Sequence, residues 1–268
     1  MIPLKDENPT RTTPIITILL IGACVVIYFF VQPTGQNTFV GSTTRDQQRD
    51  EIVFTLQNAA IPCELFQRRP LAEEEINATF GTRGGDDTAC TSDPRTGPGF
   101  PAKKVYLALL YSMFLHGSLL HLGGNMLYLW IFGNNIEDRQ GRVVYILFYL
   151  AAGLVATVAH AAVQPDSTVP VVGASGAIAG VMGAYLVMFP RAQIRSLIIF
   201  FVVLFRDIEA RWLLGFWFVS QFFINPNEGV AWMAHVGGFV FGVVAGLLWR
   251  GRPKPVPAAA PAGYNPNF

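Results

Sequence analysis

The stretch Gly173-Ala174-Ser175-Gly176-Ala177-Ile178-Ala179-Gly180 leads from a polar loop into an apolar segment. Small residues recur there at every fourth position, and a second apolar segment repeats the pattern (Gly176, Gly180 and Ala184; Gly238, Gly242 and Gly246). Small residues at this spacing let two helix backbones approach closely. We therefore expect the two segments to be packed helices, with His235 of the second brought within reach of Ser175.

The composition places most of the chain in lipid. Its 268 residues are 51% hydrophobic and 14% charged, whereas soluble domains carry about 25% charged residues. The mean hydropathy is +0.39. A net charge of +1 gives no argument for nucleic acid, and we find no phosphate-binding glycine loop or paired CxxC motif. We expect no cofactor, and the absence of HExxH and of carboxylates beside the histidines argues against a metal.

Six uncharged apolar segments are long enough, or nearly so, to cross a bilayer. They are residues 14–32, 118–135, 143–163, 174–189, 212–224 and 230–249. The pattern predicts an all-α polytopic membrane protein. Residues 104–114 form an amphipathic or interfacial helix, and residues 196–205 are too short to span and are interpreted as interfacial or re-entrant. Residues 33–103 form a long polar loop.

The distribution of basic residues sets the orientation. Lysine and arginine occur in residues 1–13, 137–142, 191–211 and 250–254, but not in 164–173 or 224–229. Because positive loops favour the cytoplasm, we expect a cytoplasmic tail at 1–13 and a disordered cytoplasmic tail at 251–268. Residues 33–103 also contain basic residues, but they exceed the length over which the rule is reliable, and we expect an extracytoplasmic loop there. We expect a plasma (inner) membrane location. Spans two, four and six then all start at the outer face.

The candidate catalytic side chains lie near the start of these three spans, at a similar shallow depth below the outer membrane surface. Ser175 opens span four, and His235 lies about 8 Å along span six. A serine is a weak nucleophile until a base takes its proton, and an intramembrane histidine indicates function by default. The other interpretation is a histidine bonded to a backbone carbonyl. No carboxylate lies at this depth, and Asp166 and Glu228 in loops are the nearest, so we expect a Ser–His dyad.

Two polar residues of span two are candidate oxyanion donors. His121 and Asn125 are four residues apart and share one helix face. With the backbone amides of Ser175 and Gly176, at a positive helix end, they could stabilise a developing oxyanion. Asn125 could equally bond one helix to another, or do both. His116 and His160 receive no catalytic role.

Of the three cysteines, Cys63 and Cys90 lie in the 33–103 loop. An extracytoplasmic loop would permit a disulfide between them.

Four motifs in this order resemble those of rhomboid intramembrane serine proteases. They are His116-Gly-Ser-Leu-Leu-His121-Leu-Gly-Gly-Asn125, Glu137-Asp-Arg139-Gln-Gly141, Gly173-Ala-Ser175-Gly176 and Ala234-His235-Val-Gly-Gly238-Phe-Val-Phe-Gly242. The resemblance covers residues 104–250, which would be the catalytic core of a six-helix rhomboid fold. It implies cleavage of single-pass transmembrane substrates in or beside the bilayer.

The resemblance also implies residue roles. Ser175 would be the nucleophile and His235 the general base, with His121, Asn125 and amides near Ser175 forming the oxyanion hole. Gly173 would allow the tight approach before the nucleophile, and Arg139 would be a structural arginine.

Two features depart from the family pattern. Many rhomboids place a tyrosine, stacked on the histidine, where this chain has Ala179. Either another group, such as Tyr185 or an aromatic residue from another span, orients His235, or the histidine is less constrained here. The first loop lacks a Trp-Arg pair found in some bacterial members. Two alternatives compete: a catalytically silent rhomboid relative that binds membrane clients, and a small transporter with a proton relay through His121 and His235.

Overall fold

The computed structural model describes residues 1–33, 44–82, 84–199, 203–225 and 230–251. Ten α-helices and three β-strands are found in these residues. The helices are α1 (Ile15–Phe30), α2 (Arg45–Asn58), α3 (Pro62–Gln67), α4 (Glu73–Phe80), α5 (Val105–Ser112), α6 (Leu119–Gln140), α7 (Arg142–Val163), α8 (Ser175–Met188), α9 (Ala210–Ser220) and α10 (Trp232–Trp249). The strands are β1 (Ile2–Asp6), β2 (Gln193–Ile199) and β3 (Val203–Glu209).

Each expected apolar span contains a helix, and α5 matches the expected interfacial helix. By length and composition, α7 and α10 could cross a membrane among the described residues, while α1 and α8 are apolar but shorter. Their outward faces expose large apolar side chains, such as Leu147 and Val158 on α7 and Leu247 and Leu248 on α10. The C-terminal tail expected to be disordered lies outside the described residues, apart from Gly251.

The expectation of an all-α chain is wrong. Residues 196–205 belong to an antiparallel hairpin of β2 and β3, and β1, from the expected N-terminal tail, pairs antiparallel with β2. Ten apolar residues are too few to span a membrane, and their Ile, Val and Phe content favours strands. Asp6 anchors β1 to the helices, because its Oδ2 accepts hydrogen bonds from Asn135 Nδ2 and Tyr185 Oη, each at 2.6 Å.

The expected long loop at 33–103 contains three helices in its described part. Residues 44–82 and 84–103, called the cap below, contain α2, α3 and α4 around a small apolar cluster with Leu56, Ile61 and Leu71. A disulfide joins Cys63 to Cys90, as the compartment argument indicated. The cap therefore has its own core and covalent cross-link.

The acidic end of α6 holds the start of α1. The Glu137 carboxylate accepts hydrogen bonds from the backbone amides of Ile16 and Thr17 at 2.9 and 2.8 Å. A negative group at a helix N-terminus also interacts favourably with the helix dipole. Arg139 lies half-buried in the last turn of α6, and Gly141, with φ +79°, turns the chain directly into α7.

Small residues bring α7, α8 and α10 together. The most extensive helix contact joins α8 to α10, as the four-residue repeats predicted. A Cβ on Gly238 would collide with the Gly176 carbonyl oxygen, and one on Gly242 with the Gly180 carbonyl oxygen. Alanines of α7 pack on the same glycines: the Ala156 methyl lies against Gly176 and the Ala152 methyl against Gly180. Backbone-to-backbone contact thus forms the centre of the helical core.

We predict that Gly242→Ala destabilises the protein by roughly 1–3 kcal/mol, because a methyl group cannot fit between two helix backbones without moving them. Gly215→Ala on α9 is the matched control, since a Cβ there meets nothing within 4 Å. The control should be neutral or slightly stabilising, as alanine is the better helix former. Thermal unfolding in detergent micelles measures both. Equal melting temperatures for the two variants would contradict the close α8–α10 contact.

The cap also contains a buried ion pair. Lys103 Nζ lies 2.6 Å from the Glu64 carboxylate, and each side chain is 1% exposed. Burial raises the pKa of Glu64, and burial lowers the pKa of Lys103. We predict that Lys103→Met costs about 3–5 kcal/mol, because it leaves an uncompensated buried carboxylate.

Adding Glu64→Gln to Lys103→Met should recover part of this loss, since the second change removes the stranded charge. Lys5→Met, which breaks an exposed pair with Glu7, should leave the urea concentration at half-unfolding unchanged. Urea unfolding followed by circular dichroism compares the three proteins. If Lys103→Met unfolds at the same urea concentration as Lys5→Met, the ion pair does not hold the cap.

Candidate active site

Ser175 and His235 are brought together by the α8–α10 contact. Ser175 is the first residue of α8, and His235 lies in the first turn of α10. His235 Nε2 lies 2.8 Å from Ser175 Oγ, within the range expected between a nucleophile and its base. Both residues are half-buried. The structure thus pairs the two residues selected from the sequence.

The other nitrogen of His235 contacts a residue that the sequence analysis missed. His235 Nδ1 lies 2.7 Å from Oε1 of Gln221, in the 3₁₀ turn that follows α9. The Trp217 ring packs near the imidazole, with centroids 5.8 Å apart. The sequence did contain a hint of Gln221: it is a polar residue near the end of an apolar, aromatic segment. Because polar groups in membranes are costly, such a residue often has a function.

Of the two expected sources of orientation, Tyr185 is wrong because it does not reach His235, whereas an aromatic residue from another span, Trp217, does lie near the ring. Tyr185 lies ten residues after Ser175, about 15 Å along α8, and its hydroxyl binds Asp6. Asp166 lines the same cavity as His235, but the partner of Nδ1 is Gln221. Glu228 lies outside the described residues.

Gly173 shapes the approach to the serine. Its φ is +122°, which L side chains rarely adopt, and a Cβ there would lie 2.8 Å from Cε1 and Nε2 of His121. Its amide donates to the Ser112 carbonyl oxygen at 2.8 Å. The expected tight approach is therefore present, and it brings the His121 ring against the backbone that leads to Ser175.

His121 and Asn125 both point a polar group toward this backbone. Ser118 begins α6 as its N-cap and accepts a hydrogen bond from the His121 amide. The Gly117 amide donates a long hydrogen bond of 3.5 Å to His121 Nδ1. Because Nδ1 accepts, the single hydrogen of the neutral ring lies on Nε2. Asn125 is 8% exposed, and its Nδ2 has no hydrogen-bond partner in the described part of the chain. Both side chains line the cavity beside Ser175.

The two remaining histidines differ in position. His116 is fully buried and does not line the cavity, and its ring packs edge-on against His121 with centroids 5.2 Å apart. His160, at the end of α7, does line the cavity. Its Nδ1 has no hydrogen-bond partner among the described residues.

A cavity of about 940 Å³ contains the candidate residues. Its lining comes from the cap, α6, the end of α7, residues 164–172, α8, α9 and α10, and includes Ser175, His235, His121 and Asn125. The first amides of α8 have no partner within the helix. A nucleophile next to a base, with several donors around one cavity, is the arrangement required for acyl transfer.

The chain also matches a known protein family. The family model described as "Rhomboid domain" matches residues 103–252, which is more than half of the chain. The chain belongs to the rhomboid family. Rhomboids are helical polytopic membrane proteins, so this chain is membrane-embedded.

Individual relatives show moderate identity. The bovine mitochondrial presenilin-associated rhomboid-like protein is 32% identical over 57% of this chain and 42% of its own length. Rhomboid protease GluP of Bacillus subtilis is 32% identical over 57% of this chain and 28% of its own length. Mitochondrial RHOMBOID-like protein 6 of Arabidopsis thaliana is 31% identical over 54% of this chain and 44% of its own length. This rhomboid therefore matches less than half the length of each.

In this rhomboid, the cap forms backbone hydrogen bonds with the loop that precedes Ser175. The Val171 amide donates to the Ala60 carbonyl, the Thr168 amide to the Asp87 carbonyl, and the Cys63 amide to the Ser167 carbonyl, all at 2.8–2.9 Å. Asp87 and Thr88 of the cap also line the cavity. The cap thus forms part of the cavity wall and holds the chain a few residues before Ser175.

Because Asn125 Nδ2 has no hydrogen-bond partner among the described residues, replacing Asn125 should affect the reactivity of Ser175 without lowering the stability of the protein. Asn125→Leu should leave the melting temperature unchanged or raise it, because it removes a buried donor that has no described partner. The same variant should lower the rate at which a fluorophosphonate labels Ser175, since a donor for the oxyanion position is lost.

Asn135→Leu on the same helix is the control. It removes the 2.6 Å bond to Asp6 and should cost about 1–3 kcal/mol. If Asn125→Leu destabilises the protein as much as Asn135→Leu, Asn125 acts as a link between helices instead.

Proposed function

We propose that this chain is an intramembrane serine endopeptidase that cleaves single-pass transmembrane proteins near the outer face of the bilayer. The 2.8 Å contact between Ser175 Oγ and His235 Nε2 is the observation that supports it most strongly. Membership of the rhomboid family and the printed name of one relative, rhomboid protease GluP, agree with it.

The proposed reaction has two halves. Ser175 Oγ attacks the carbonyl carbon of the scissile peptide bond while its proton moves to His235 Nε2. The developing oxyanion is stabilised by His121 Nε2, Asn125 Nδ2 and the amides of Ser175 and Gly176. His235 then gives its proton to the leaving amine. A water molecule next attacks the acyl ester while its proton moves to His235. The bond from the acyl carbon to Ser175 Oγ then breaks, and His235 returns the proton to Oγ.

The proposed membrane arrangement has six spans formed by α1, α6, α7, α8, α9 and α10. The start of α8 and the start of α10 then lie at the same outer side, together with the cap. A depth of only a few ångströms gives water access for the second half of the reaction. We further propose a plasma membrane location with both termini in the cytoplasm, and a substrate helix that unwinds near its outer end.

We predict that Ser175→Ala and His235→Ala each lower cleavage of a single-pass substrate in proteoliposomes by at least about 1,000-fold, because nucleophile and base act as one unit. Ser92→Ala, an exposed cap position, is the matched control and should cleave normally. Mass spectrometry of the products measures cleavage.

The result separates the proposed protease from the two alternatives. A silent client-binding relative would retain the substrate without cleaving it, in the parent and in the variants alike. A transporter would show proton or solute flux that Ser175→Ala does not change. Undiminished cleavage by either Ser175→Ala or His235→Ala would overturn the proposed dyad.

A further inference from the structure

We infer that Gln221 is a positioning residue for His235, fixing the imidazole tautomer that can accept the proton of Ser175. This inference rests on the proposed function, because it concerns the same base. It explains how His235 can be oriented although this chain has Ala179 where many rhomboids have a tyrosine stacked on the histidine. Trp217 lies near the ring, but an aromatic neighbour does not decide which ring nitrogen carries the proton.

The amide of Gln221 has its orientation fixed by its own turn. Gln221 is 4% exposed. Its Nε2 donates to the Trp217 carbonyl oxygen at 2.9 Å and to Ser220 Oγ at 3.2 Å. The Ser220 hydroxyl proton is already used, because Ser220 Oγ donates to the same Trp217 carbonyl at 2.6 Å. Both N–H groups of Gln221 therefore have acceptors, and Oε1 is the atom that faces His235.

This orientation determines the tautomer of His235. A neutral imidazole has one N–H and one lone pair on its two nitrogens. Gln221 Oε1 can only accept, so the nitrogen 2.7 Å away, Nδ1, must carry the hydrogen. The lone pair then lies on Nε2, which is 2.8 Å from Ser175 Oγ. A reversed Gln221 amide would lose two hydrogen bonds and favour the opposite, unproductive tautomer.

The same contact helps during proton transfer. When His235 takes the serine proton the ring becomes a cation, and the hydrogen bond from Nδ1 to Oε1 becomes charge-assisted and stronger. A carboxylate would stabilise this cation more, but burying a permanent charge costs free energy. An amide therefore orients the base without placing a charge in the cavity wall, as asparagine does beside the histidine of papain-like proteases.

Three variants separate positioning from general stability. Gln221→Leu removes the acceptor, and Gln221→Glu keeps an acceptor but adds a charge. Gln32→Leu is the matched control: Gln32 is another buried amide, 3% exposed, which binds the backbone of His116 at both ends. The titratable groups that line the cavity from other elements are the same in all three proteins: His121, Tyr128, His160, Asp87 and Asp166.

The readouts are the second-order rate of Ser175 labelling by a fluorophosphonate, the kcat and KM for a single-pass substrate, and the pH dependence of both. Gln221→Leu should lower the labelling rate and kcat by about 10- to 100-fold with little change in KM, because one hydrogen bond to a group that becomes charged is lost. Gln32→Leu should lower the melting temperature but keep the parental pH profile.

Gln221→Glu tests the direction in which the residue at position 221 shifts the pH dependence of activity. A carboxylate beside Nδ1 stabilises the protonated ring, so more alkaline conditions are needed to free Nε2. The acid limb of the activity profile should move to higher pH by about one unit or more. At alkaline pH this variant should recover activity above that of Gln221→Leu, since the tautomer is again fixed.

The inference is overturned if Gln221→Leu matches the parent in labelling rate, or falls no further than Gln32→Leu. It is also overturned if Gln221→Glu leaves the pH profile unmoved. These results leave the proposed protease intact as long as Ser175→Ala abolishes labelling. If the parent itself is not labelled at Ser175, both the proposed function and this inference fail.

Discussion

The direct contact between the backbones of α8 and α10 is the constraint on which the rest of the structure depends. A nucleophile and a base on different helices can share a proton only if the helices approach closely, and side chains larger than hydrogen would prevent this. Glycines at Gly176, Gly180, Gly238 and Gly242 remove that obstacle. The resulting register places Ser175 Oγ 2.8 Å from His235 Nε2. The proposed chemistry is therefore a consequence of packing, because the same glycines build the helical core.

Contacts on either side of this helix pair hold the remaining parts of the site. On one side, the cap and the last residue of α5 bind the loop before Ser175, through Ala60, Asp87 and Ser112. On the other side, the end of α9 presents Gln221 and Trp217 to His235. The opposite ends of α6 and α8 are tied to β1 through Asp6. The donors on α6 and the base on α10 thus approach a serine whose backbone is fixed before and after it.

The sequence predicted the features with a strong periodicity or a distinctive motif. The four-residue glycine repeats predicted the α8–α10 contact, and the charge-free segments predicted the helices to within a few residues, because both signals follow from the α-helix itself. The pairing of β1 with β2 was missed because it joins residues almost 200 positions apart, which no local pattern records. The β2–β3 hairpin was missed because its short apolar run was interpreted as an interfacial or re-entrant segment. The cap helices were missed because α2 lacks an amphipathic repeat and because α3 and α4 are only six and eight residues long. Gln221 was missed because its role depends on the three-dimensional position of a neighbouring turn.

A structure of the phosphonylated protein in lipid would test directly whether Ser175 is the nucleophile and whether His121 and Asn125 stabilise the oxyanion. A phosphonyl group on a serine carries an oxygen that stands in for the reaction's oxyanion. We predict attachment at Ser175 Oγ, with that oxygen about 3 Å from Asn125 Nδ2, His121 Nε2 and the first amides of α8. A phosphonyl group on another residue, or an oxygen that points away from His121 and Asn125, would contradict it.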